Sequence, residues 1–91
     1  MDSTYSPRRD IVVASVESIK TELKRRIAET AGEFVLDLGG VEMVDSKGIG
    51  LLISTFATLS EKQRGFKVVG TPPDILQLFR SMRMNQHFVI E

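Results

Sequence analysis

The chain has 91 residues, 42% hydrophobic and 26% charged, with 12 Lys+Arg set against 12 Asp+Glu. That is the composition of one ordinary globular domain spanning 1–91, and the zero net charge argues against both a disordered tail and a non-specific nucleic-acid binder. With no cysteine, disulfides, thiolate catalysis and zinc–cysteine sites are excluded, which suits a cytoplasmic setting.

Residues 1–10 are polar, contain Pro7 and the pair Arg8-Arg9, and read as a loose N-terminal segment without the apolar run of a signal peptide. No window approaches the roughly 18 apolar residues of a membrane span. Ile11-Val12-Val13 is a β-branched run too brief to be more than a strand fragment or a lead-in to a helix. Ser15 then offers an N-cap for "VESIKTELKRRIAE", in which Val16, Ile19, Leu23 and Ile27 recur every three or four residues. That spacing predicts an amphipathic helix, with Lys24-Arg25-Arg26 on a solvated face. Gly32 closes it.

"FVLDL", 34–38, is short, apolar and flanked by glycines, as a buried strand should be. "GIGLLISTFATLSEK", 48–62, places Ile49, Leu52, Ile53, Phe56 and Leu59 at helical spacing, and Gly65 is expected to stop that helix. "FKVVG", 66–70, reads as a second strand. Thr71-Pro72-Pro73-Asp74 is a turn whose prolines suit the start of a third helix, "DILQLFRSMRM", with Ile75, Leu76, Leu78, Phe79 and Met82 on its apolar face. "HFVIE" closes the chain as a short edge strand.

Strands alternating with helix-length crossovers predict an α/β domain with a parallel-cored sheet and right-handed connections. Such sheets gather functional groups where the carboxyl ends of strands feed helix N-termini. "MVDSKGIG", 43–50, occupies such a place. Its bland reading is that the Ser46 hydroxyl or the Asp45 carboxylate caps the second helix. Its functional reading is that Ser46 takes a phosphate, favoured by the helix N-terminus and by Lys47 and opposed by Asp45.

Other chemistry is thinly supported. "GIG" lacks the third glycine of a dinucleotide fingerprint, and the P-loop pattern is missing, so Gly48 and Gly50 read as close-packing residues. His87, the single histidine, lies far along the chain from Ser46, and "VDSKG" is not the nucleophile elbow of a hydrolase. Glu42, Asp45 and Asp37 are the only acids near the motif, too few for a metal cluster. The expectation is a binding protein rather than an enzyme, with no cofactor and no metal.

The stretches "LDL", "VEMVDSKGIG", "EKQRGFKVVG", "TPPDILQLF" and "MNQHFVI", in this order and without large gaps, resemble the STAS domain of anti-sigma factor antagonists. The resemblance implies a STAS-like small mixed or parallel-cored sheet packed by helices, with a reduced N-terminal strand region. It also implies that Ser46 is phosphorylated by a partner serine kinase that is itself an anti-sigma factor, and reset by a serine phosphatase. Asp45, Ser46, Lys47, Gly48 and Ile49 would form the partner surface, and the unphosphorylated form would bind and sequester the anti-sigma factor. Two departures stand out. Lys47 occupies a position where that family usually has a small residue, and only 1–13 precede the first helix, where a strand pair is usual. Both departures favour the alternative of a non-phosphorylated STAS subunit, a scaffold for a transporter or signalling complex, while the intact Asp45-Ser46-x-Gly48 favours the switch. The second suggests an exposed sheet edge able to pair with another copy.

Overall fold

Phe34, Leu36, Phe66 and Val68 are buried, while Val35, Asp37, Lys67 and Val69 between them are half-exposed. This alternation marks two neighbouring strands packed hard on one face only. They are the centre of the sheet in the computed structural model of the protein, which describes residues 3–91. The elements follow in the order β1 (Thr4–Tyr5), α1 (Val16–Glu29), β2 (Phe34–Asp37), α2 (Ser46–Glu61), β3 (Phe66–Val69), α3 (Pro73–Ser81), a 3-10 turn (Met84–Gln86) and β4 (Val89–Ile90). All four strands are parallel and lie in sequence order, with Tyr5 opposite Leu36, Leu36 opposite Val68 and Val68 opposite Ile90. Every crossover therefore steps the same way, and right-handed connections put all three helices on one face. α2 is the middle helix.

The N-terminal segment is not loose over the described part of residues 1–10. Thr4 and Tyr5 form an edge strand, the Val35 N–H donates to the Ser3 carbonyl at 2.8 Å, and Tyr5 is buried beneath the Arg26 guanidinium, 4.7 Å from its ring centroid. Arg9 donates to Ser18 Oγ at 2.7 Å. Two residues carry no readable period, and here one buried aromatic ring anchors them. The short strand before α1 therefore lies at Thr4–Tyr5, and residues 11–13, where a strand fragment or helix lead-in was expected, contribute a single bridge from Ile11 to Val44. As the sheet's two edges are strands of only two residues, they are of the short kind that resists pairing with other chains.

α1 has the expected bounds and buries Ile19, Leu23 and Ile27. α2 is turned from its expected face: Leu51 and Thr55 are buried with Ile49, Leu52 and Leu59, whereas Ile53 is 49% exposed and Phe56 half-buried. The helix packs sideways against α1 as well as down onto the sheet: Leu51 and Thr55 lie on the side toward Leu23 and Ile27 of α1. The Thr55 hydroxyl is satisfied by the Leu51 carbonyl at 2.8 Å.

Nor is Gly65 the stop of α2. The helix ends at Glu61, Gln63 takes the left-handed conformation (φ +56°), and the N–H groups of Gln63 and Arg64 donate back to Ser60 and Leu59. A non-glycine residue in that region costs about 1 kcal/mol. The turn aims Arg64 at the end of α1, where it donates to the Ile27 and Gly32 carbonyls, both at 2.7 Å, and to Thr30 Oγ1 at 3.0 Å. A guanidinium on orphan carbonyls at a helix C-terminus is favourable in both geometry and charge. α3 is likewise shorter than expected: Arg83 (φ +59°) turns the chain, Leu78 and Met82 are exposed, and Ile75 and Phe79 are the buried anchors. The closing edge strand is present, and Lys67 pairs with Glu91 at 3.0 Å beside it.

Candidate functional site

Two segments more than thirty residues apart meet where α1 and α2 begin. Ile11 and Val44 form an isolated parallel bridge: the Ile11 N–H donates to the Met43 carbonyl (3.0 Å), and the Asp45 N–H to the Ile11 carbonyl (3.3 Å). An aspartate on each side locks this bridge. Asp10 Oδ1 accepts from the N–H groups of Glu42 (2.9 Å) and Met43 (3.1 Å). Asp45 Oδ2 accepts from the Val13 N–H (2.9 Å), and its Oδ1 from the Gly48 N–H (3.0 Å), which makes Asp45 the N-cap of α2. These amides hold the Asp45 carboxyl below the usual carboxylate range, Gly48 first and Val13 second, against a smaller opposing effect of desolvation.

The cap is therefore Asp45, and Ser46 is the first residue inside α2. Ser46 and Lys47 are exposed, Gly48 and Ile49 buried. Among the described residues the Ser46 hydroxyl has no hydrogen-bond partner. Gly48 packs so closely that a Cβ would run into the Ile11 carbonyl oxygen and Val44 Cγ1. Glycine is required there by the bridge and not by a nucleotide. Of the five residues expected to form a surface, Ser46 and Lys47 are presented outward, Asp45 is half-buried with both carboxylate oxygens on backbone amides, and Gly48 and Ile49 hold the helix start against the core.

A shallow depression of about 380 Å³ opens beside Ser46 between the first turns of α1 and α2, with Glu17, Lys20 and Lys47 around it. Asp45 already occupies the Gly48 amide, and Lys20 and Lys47 line this depression together with Ser46. Sequence reading missed Asp10 and Lys20, since nothing local shows that residues 10–20 lie against 42–47.

The remaining expectations separate in space. His87 stacks near Phe56, ring centroids 6.1 Å apart, and Phe56 lies ten residues beyond Ser46 on one helix, about 15 Å at 1.5 Å per residue. A serine–histidine pair is not formed. Among the described residues no cluster of three metal-ligating side chains occurs, and no helix is long and apolar enough to cross a membrane.

The family model of the STAS domain matches residues 2–91. A crystal structure of a Thermotoga maritima protein assigned as an anti-sigma factor antagonist superposes with a TM-score of 0.87 at 15% identity, covering 99% of this chain and 80% of that one. At that identity the likeness establishes the fold alone. No curated protein matches.

Proposed function

The chain belongs to the STAS domain family, and on that premise we propose that it is a phosphorylation-switched binding protein of the anti-sigma factor antagonist type, with Ser46 as the phosphoacceptor. One observation carries this reading: Ser46 is exposed beside a capping aspartate that leaves its hydroxyl unengaged. A serine that held the helix start would be withdrawn from a kinase; this one is available.

The electrostatics support the direction of the switch. Phosphate adds roughly −1.5 to −2 charge next to Asp45, at a surface that otherwise exposes Lys47 beside a half-buried Lys20. An interface formed with the neutral serine would have to desolvate that dianion, at several kcal/mol unless paired. In this reading the unphosphorylated form binds and sequesters a cytoplasmic anti-sigma factor with serine kinase activity, and a serine phosphatase restores it. The chain itself carries out no reaction; it frees a transcription factor by occupying that factor's inhibitor.

The test is the intact mass of the protein from its own source beside a Ser46→Ala variant. A species heavier by one phosphate, absent from the variant, is the expected result. If no such species appears under any growth condition, the reading fails in favour of a STAS subunit that docks without being modified, for which the long Lys47 side chain beside Ser46 already speaks.

A further inference from the structure

The depression at Ser46 is one end of a longer feature. It shares Lys20, Leu51 and Ser54 with a second hollow of about 200 Å³ farther along the same pair of helices, so a continuous groove runs between α1 and α2. Its floor is apolar, formed by Leu23, Ile27 and Leu51. Its rim is cationic: Lys20 and Lys24 from α1, Lys47 at the start of α2 and Lys62 at its end, against Glu17.

We propose that this groove docks an acidic amphipathic helix of a partner protein. The charge on the rim is uncompensated. Among the described residues none of the four lysines makes an ion pair, whereas Glu22 and Glu29 on α1 are held by Arg25 and Arg26. A partner helix with carboxylates along its flanks and apolar residues along its centre meets both parts of the groove at once. Lys47, in the first turn of α2, and Lys62, at its C-cap, are fifteen positions apart, about 22 Å, or four turns of a docked helix. Gly50, Ser54 and Thr58, each four residues on from the last, keep that side of α2 low enough for a third helix to lie close.

Two other anionic occupants fit less well. The four lysines are strung along the length of the groove, which suits an elongated anionic partner better than a single small anion. A nucleic acid strand would need stacking platforms, and the floor offers aliphatic side chains instead. The inference rests on the reading of the chain as a protein-binding module, but not on phosphorylation of Ser46.

The test titrates isotope-labelled protein with an acidic peptide of about 15 residues, leucines and glutamates at helical spacing, followed by NMR. The expected result is saturable shifts at Ala28, Ser54 and Thr58, weakening with salt, and affinity lowered about tenfold by Lys24→Glu with Lys62→Glu. Both lysines are exposed, so the double variant should melt as the wild type does. Shifts confined to other surfaces, equal binding by a scrambled peptide or by a single-stranded oligonucleotide, or no saturation at millimolar peptide each overturn the proposal. Both positions lie away from Ser46 at the far part of the groove. If the double variant binds the peptide normally, the groove fails even where the intact mass shows a phosphate on Ser46; if it loses the peptide and no phosphate is found on Ser46, the groove stands and the switch fails.

Discussion

Two helices start side by side in this protein, each with a serine, and the serines have opposite fates. At the head of α1, Ser15 is half-buried; its hydroxyl donates to the Asp10 carbonyl at 2.6 Å and accepts from the Val12 N–H at 3.1 Å. It sits at the N-cap position without capping the helix, and instead ties the turn that delivers Ile11 to Val44. At the head of α2, Asp45 takes both the cap and the cross-link to Val13, leaving Ser46 exposed and idle. A serine at a helix start is thus structural or available according to whether a neighbour has already satisfied the local amides.

The contrast is broken most severely at Gly48. Gly48→Ala drives a methyl group into the Ile11 carbonyl and Val44, which are backbone and core. It should cost about 3 kcal/mol or more and disorganise both helix starts, as a thermal melt would show. Next in size is the serine pair itself. Ser15→Ala should cost about 1–2 kcal/mol by leaving the Val12 amide and Asp10 carbonyl without their partner, while Ser46→Ala should stay within about 0.5 kcal/mol. Equal losses in denaturant titrations would contradict the division of roles.

Asp45 sharpens the contrast through pH. Its carboxyl is held below the usual range in the folded chain, so its contribution to stability is present above the unfolded value of about 3.9 and is lost as pH falls through the folded one. An Asp45→Asn variant keeps a capping side chain that does not titrate, so its melting temperature should fall less steeply below about pH 4 than that of the wild type. Parallel acid limbs would show that Asp45 contributes no charge effect. A small effect of opposite sign belongs to Gly50, which lies two residues beyond the buried Gly48 yet is exposed, and where a Cβ meets nothing within 4 Å. Gly50→Ala should raise stability by roughly 0.5–1 kcal/mol through helix propensity, a sign opposite to that of Gly48→Ala.

Much of this was legible in the sequence because it depends on local period. The bounds of α1, its buried Ile19, Leu23 and Ile27, the strands Phe34–Asp37 and Phe66–Val69, and the closing strand all follow from spacings within a few residues. The same holds for the place of Asp45-Ser46 at a helix start. What was not legible depends on residues brought together from far apart. β1 is two residues long and is held by β2 and by Arg26. The rotation of α2 follows from its packing against α1, which buries Leu51 and Thr55 and leaves Ile53 exposed on the other side.

The sequence by itself determined the alternation of strands and helices, the parallel core, and which short stretch would face outward at a helix N-terminus, since turn chemistry and apolar spacing act over a turn or two. Only the tertiary structure decided which residue caps that helix and which serine stays free. The reason is that the Asp10 and Asp45 carboxylates bind amides about thirty residues distant, and Arg64 closes α1 from beyond α2 in the same way. A hydrogen bond across such a separation has no local signature; it exists only once the sheet has brought the two segments side by side.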